Sequence, residues 1–144
     1  MEAKMLAPAA VLVLWPLIVL LWMTVTRFGA FSKAGIDIAK VPPGGRGNSL
    51  EGVLPDKVNW KAHNFTHLME QPTIFYPAVI ILAMGAPKPV DVAMAWAYVA
   101  IRVVHSLWQS MVNRLQVRVM LFAASTIFLV ALAVRAVTVT LFAA

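Results

Sequence analysis

The chain contains no cysteine. Disulfide bonds, thiolate metal sites and a cysteine nucleophile are therefore excluded, and the redox compartment leaves no mark on the sequence. Charge is also scarce. Only 12% of the 144 residues are Asp, Glu, Lys or Arg, and acidic residues number half the basic ones, six against twelve. So few charges cannot coat a soluble globule of this size. Disorder is excluded for the same reason, because the apolar surface must be buried somewhere.

What remains is apolar. Hydrophobic residues make up 61% of the chain, with a mean hydropathy of +0.81, against roughly 45–50% apolar usage in soluble domains. Lipid is the solvent that accepts such a composition. The net charge of +6 comes without a basic–aromatic module, which argues against nucleic acid and for loops beside an anionic leaflet.

The pattern predicts an all-α membrane protein: a single four-transmembrane-helix domain over residues 1–144. A first run, residues 5–26, is long enough to cross the hydrocarbon core, which takes roughly 20 helical residues. Glu2 and Lys4 cancel before it, so it lacks the positive start of a signal peptide and reads as a retained span. Pro16 should kink it. Residues 27–61 form a polar loop with six basic residues and the breaker cluster Val41-Pro42-Pro43-Gly44-Gly45-Arg46-Gly47. A short interfacial piece is expected near Ser49–Leu54. The glycines lack the Gly-Lys-Ser/Thr ending and the adjoining strand of a phosphate loop, so they read as a turn. Further helices are expected at about 62–84, 92–115 and 119–142. Pro72 and Pro77 should bend the second, Asp91 should cap the third, and Arg135 in the fourth should snorkel to the interface. Basic residues concentrate in the first loop and at Arg114 and Arg118, which predicts a cytoplasmic 27–61 loop with both termini outside.

Polar residues in the spans carry the functional signal, since amides and charges in a membrane helix turn inward or toward a wet cavity. Arg102, His105, Ser106, Gln109, Asn113 and Gln116 fall within about a 100° arc of the third helix. On the second, His63, Asn64, His67, Glu70 and Gln71 share an arc of about 120°. The two stripes should face each other, with Arg102 paired to Glu70 near mid-membrane. One reading is structural: interhelical hydrogen bonds and a buried ion pair. The other is a polar ligand cavity opening to the cytoplasm. His63, His67 and Glu70 could meet one ion, but they lack the patterns of zinc proteases and di-iron bundles, so no metal is assigned. Ser106 beside His105 is no catalytic dyad, because adjacent helical residues diverge by 100°. Asn64-Phe65-Thr66 is a fortuitous glycosylation sequon at a predicted cytoplasmic helix start.

Lys61-Ala62-His63-Asn64, followed by Glu70-Gln71-Pro72 and Phe75-Tyr76, resembles the second-helix signature of the MAPEG family, the membrane-associated proteins of eicosanoid and glutathione metabolism. Arg102-Val103-Val104-His105-Ser106 with Asn113 and Arg118 resembles helix three of its bacterial branch. The resemblance implies a homotrimer of four-helix protomers in a bacterial inner membrane, with glutathione as co-substrate near the cytoplasmic face between subunits. It also implies a transferase or peroxidase acting on lipophilic electrophiles or lipid hydroperoxides. The binding residues it implies are Lys61, Asn64, His67, Glu70, Arg102, His105, Gln109 and Asn113. Arg118, and after it Arg114, are the implied thiol-activating cations. Lys61 stands where the family has Arg, and His105 and Gln109 stand where well-known members have tyrosines. Asn64 and Glu70 are six apart rather than the usual three. The alternatives are a non-catalytic membrane subunit, or a protein binding metal or another small ligand through its histidines.

Overall fold

The computed structural model describes residues 1–142. It is all-helical: α1 (Glu2–Ala34), α2 (Asp56–Leu68), α3 (Pro72–Met84), α4 (Pro89–Met111) and α5 (Leu115–Leu141), with two short 3-10 turns, Ile38–Lys40 and Gly47–Leu50, in the first loop. Helices α1, α4 and α5 are each long and apolar enough to cross a membrane. Helices α2 and α3 follow one another as a broken fourth rod and complete a four-helix bundle. The chain is an integral membrane protein by this architecture.

Several boundaries differ from the sequence reading, and each has a local cause. Helix α1 continues eight residues beyond Thr26, because Arg27 and Lys33 are good helix formers and nothing breaks the helix before Gly35. Gly35 takes φ 66°, and the Ile36 N–H returns to the Phe31 carbonyl at 3.0 Å, a glycine stop. Helix α2 begins at Asp56, directly after Pro55, where a residue with fixed φ favours helix initiation. The rod then breaks at Met69–Gln71, since Pro72 has no N–H for the carbonyl of Leu68. Asp91 is not the N-cap of α4. Lys88 holds that position, and Asp91, three residues on, accepts from the Lys88 N–H at 2.9 Å.

Pro16 frees the carbonyl of Leu12 in the same way. That carbonyl accepts from the Tyr76 hydroxyl at 3.0 Å, so the missing helical bond becomes a tie between α1 and α3. Packing is divided along the bundle. At one end Met5, Leu12, Phe75, Val79, Leu82, Tyr98, Val99 and Leu132 make a dry core, with Phe75 and Tyr98 stacked at 4.4 Å between centroids. At that end Arg135 reaches the first turn of α4. Its Nε and Nη2 donate to the two carboxylate oxygens of fully buried Asp91, at 2.9 and 3.0 Å, closing α4 onto α5 with a bidentate pair. At the other end polar side chains, Asn59, Asn64, Arg102, His105, Ser106 and Gln109 among them, are buried beside Leu54, Val58 and Leu68.

Candidate functional site

The polar end is built by α2, α4 and the start of α5. Asn64 on α2 is fully buried and donates to Ser106 Oγ at 2.7 Å and Ser110 Oγ at 2.9 Å on α4. Trp15 of α1 donates to the same Ser106 oxygen at 2.9 Å. These contacts join three helices, while the buried Asn64 Oδ1 has no partner among the described residues. Asn64 is thus occupied in holding α2 to α4.

Beside this network a cavity of about 330 Å³ opens, lined by His63, His67, Glu70, His105, Gln109, Arg118, Val119 and Phe122. That volume is at the lower end of the roughly 300–1,000 Å³ range of small-molecule sites. His67 donates Nδ1–H to Glu70 Oε2 at 2.8 Å, one helical turn away. The rings of His67 and His105 lie 5.0 Å apart, and the Phe122 ring is 5.4 Å from His67. Two lining residues keep a buried polar atom with no partner among the described residues, His105 Nδ1 and Gln109 Oε1. Such atoms are costly to leave unpaired, so a ligand with polar groups of its own would fit here.

Arg118 reaches the cavity from the first turn of α5, half-buried, and donates Nη1–H to Asn113 Oδ1 at 2.8 Å. Asn113 sits in the α4–α5 turn with φ 54°, a left-handed conformation that Asn tolerates better than most residues. Arg114, also in that turn, does not line the cavity; its backbone carbonyl accepts from Trp108 Nε1 at 3.2 Å.

Arg102 is inside the bundle with no exposed surface, as its stripe implied, but the expected direct pairing with Glu70 is not made. Its Nη2 donates to the His67 carbonyl at 3.1 Å, and its Nη1 lies 3.5 Å from His67 Nε2. Glu70 is one step removed, on the far side of the His67 ring. The reason is the break at Met69–Gln71: it leaves the C-terminus of α2 pointing into the bundle, and the negative end of a helix dipole attracts a guanidinium as a carboxylate would. Lys61 is likewise spent locally, donating to the Lys57 carbonyl at 2.8 Å with its ammonium 4.9 Å over the Trp22 ring.

Of the ten residues named from the sequence, His67, Glu70, His105, Gln109 and Arg118 meet at the cavity. Lys61, Asn64, Arg102, Asn113 and Arg114 stand behind or beside it. Of the three histidines, His63 lines the cavity with its ring nitrogen engaged by Glu51 of the first loop, 2.9 Å between Nε2 and Oε1. No group of three metal-ligating side chains forms among the described residues. Sequence reasoning missed Val119 and Phe122, which give the cavity an apolar lip; on an apolar helix they carry no distinguishing signal. The Asp91–Arg135 pair was missed as well, although the two residues are equidistant from the turn at Asn113 on antiparallel helices, a signal that could have found it.

Neither the curated proteins nor the solved structures contain a match to this chain. A family model does match, over residues 5–138, nearly the whole length, and covers every span and both polar stripes. With its membrane bundle and its polar cavity between the second, third and fourth crossings, the chain belongs to the MAPEG family.

Proposed function

We propose that this protein is a membrane-embedded, glutathione-dependent transferase or peroxidase acting on lipophilic electrophiles or lipid hydroperoxides. The observation that carries the reading is Arg118, a guanidinium outside any ion pair among the described residues, at the mouth of a cavity polar on one wall and apolar on the other. Family membership supplies the context. The cavity's chemistry suits the tripeptide. Arg118 complements a carboxylate or a thiolate, Glu70 complements an ammonium, and the open atoms of His105 and Gln109 can pair with peptide groups.

A free thiol has a pKa near about 8.5, and a guanidinium at the sulfur favours the thiolate at neutral pH. In the transferase reaction the thiolate attacks an electrophilic carbon; the C–S bond forms and the leaving group departs with its electron pair. In the peroxidase reaction the sulfur attacks the terminal oxygen of a hydroperoxide and the O–O bond breaks. The alkoxide takes a proton to leave as the alcohol, and a second glutathione reduces the sulfenate to disulfide and water. Val119, exposed on α5, and Phe122, packed against His67 inside the cavity, offer the apolar co-substrate a route from the bilayer.

The same reading has three protomers assembling with the cavity near their shared interface, the first loop and the cavity on the cytoplasmic side, and both termini outside. A second reading, a non-catalytic membrane subunit, draws support from the Asn64–Ser106–Ser110–Trp15 network, which is fully explained by helix packing. Glutathione titration of the purified protein followed by melting temperature separates the two. Stabilisation by glutathione, together with turnover of a chlorodinitrobenzene or cumene hydroperoxide, supports the enzyme. No shift with glutathione and no turnover would leave the packing reading.

A further inference from the structure

A second cavity lies at the far end of α1, away from the site above. It measures about 470 Å³, and among its walls are Arg27, Phe31, Ile38, Val41, Arg46 and Val53, from the last turns of α1 and the first loop. Its depth can be read from the aromatic residues. Trp22 on α1 and Trp60 on α2 are both half-buried, and the Lys61 ammonium sits over the Trp22 ring at 4.9 Å, the arrangement found where hydrocarbon meets headgroups. Arg27 is five residues beyond Trp22, roughly 7.5 Å along the helix. That distance is about the thickness of a headgroup layer.

Charge is unbalanced at this level. Of the loop's carboxylates, Asp37 is engaged by Lys40 at 3.4 Å and Glu51 by His63 at 2.9 Å. Among the described residues no carboxylate reaches Arg27 or Arg46. Arg27 has one long hydrogen bond, Nη2 to the Gly47 carbonyl at 3.4 Å, and its buried Nε–H has no acceptor. Meanwhile Ile38, Val41 and Val53 are each about half exposed on a basic loop. Apolar and cationic groups exposed together suit one environment, the boundary between acyl chains and anionic headgroups.

We infer that the cavity between the end of α1 and the first loop is a binding site for one anionic glycerophospholipid. Its phosphate is held by Arg27 and Arg46, and an acyl chain lies along Phe31, Ile38, Val41 and Val53. The site is independent of the glutathione reading. It would fix the first loop against the leaflet that the basic residues face.

Native mass spectrometry of the full-length protein from a non-ionic detergent tests it, with dioleoyl phosphatidylglycerol, the matched phosphatidylcholine and inorganic phosphate as probes. The anionic lipid should bind more tightly than the zwitterionic one, by about fivefold for each guanidinium. Arg46→Gln, an exposed substitution that leaves packing intact, should remove about fivefold of that preference. Arg27→Gln with Arg46→Gln should remove it entirely. Lys40→Gln with Lys57→Gln takes the same charge from elsewhere on the loop and should leave it unchanged. Equal binding of the two lipids overturns the inference, as does an equal loss in the Lys40/Lys57 variant. If inorganic phosphate displaces the lipid, the site is one for a soluble anion and the lipid assignment fails. Should the double Arg variant lose its helical circular dichroism, Arg46→Gln alone decides.

Discussion

Asn113 Oδ1 accepts a hydrogen bond from Arg118 Nη1 at 2.8 Å, so the residue that turns the chain from α4 into α5 also aims the guanidinium at the cavity. Asn113 was expected to touch ligand directly; its side chain is committed to Arg118 instead. If Arg118 activates a thiol, Asn113→Gly should keep the left-handed turn but release the guanidinium. Turnover should then fall about tenfold, the scale of one charge-assisted hydrogen bond, with little change in KM for glutathione. Asn113→Asp retains the acceptor and should restore most of the loss. A KM effect equal in both variants would place Asn113 against the ligand.

The two arginines proposed as thiol activators are separated by the structure. Arg118 lines the cavity and Arg114 does not. Arg118→Gln should therefore lower kcat by about 10²–10³-fold, as removal of a charge-stabilising donor does. Arg114→Gln should stay within about threefold, because the bond that Arg114 makes to Trp108 uses its backbone carbonyl. Steady-state kinetics and the thiolate absorbance of bound glutathione measure both. A larger loss in Arg114→Gln would reverse the assignment.

Arg102 and Glu70 should behave unequally. Arg102→Leu leaves the His67 carbonyl, at the broken end of α2, with only a long bond from the Glu70 N–H at 3.4 Å, which costs roughly 1–3 kcal/mol. Glu70 is exposed and its contact with His67 lies on the surface side, so Glu70→Gln should cost less than about 1 kcal/mol. Melting temperatures in one detergent are the comparison. Equal losses would mean that the two side chains pair directly in the membrane.

Asp91 and Arg135 form a bidentate pair whose carboxylate is wholly buried. Asp91→Asn leaves the Arg135 guanidinium without its carboxylate and should lower the melting temperature of the bundle. The double variant with Arg135→Gln should recover part of that loss, because it removes the stranded charge as well. Additive losses in this cycle would show that the pair is not coupled.

Topology is open to direct labelling because the chain has no native cysteine. Lys40 is a better probe position than Gly47, where a Cβ would come within 3.1 Å of Arg27 Nη1. Lys40→Cys should react with a membrane-impermeant maleimide only after permeabilisation. Labelling in intact cells would place the first loop outside.

Hydropathy and charge in the sequence determined the membrane class, the number of crossings and the two polar stripes, because lipid forces apolar residues outward and leaves the rest a narrow inward arc. Family resemblance in the second and third helices was legible for the same reason: those arcs hold the residues that lipid cannot take. What the linear pattern could not supply was the partner each polar atom takes. Asn64 and Arg102 look like ligand contacts on a helical wheel, yet one ties α2 to α4 and the other caps the broken end of α2. Pro72 was visible, but whether it bends a helix or ends it depends on the contacts around it, and here Arg102 of α4 binds the His67 carbonyl in the last turn of α2. Val119 and Phe122 became part of a cavity only when α5 folded back along α4. Hydrogen bonds and cavity walls are set within a few ångströms in three dimensions, and helical spacing fixes only the direction in which a side chain sets out.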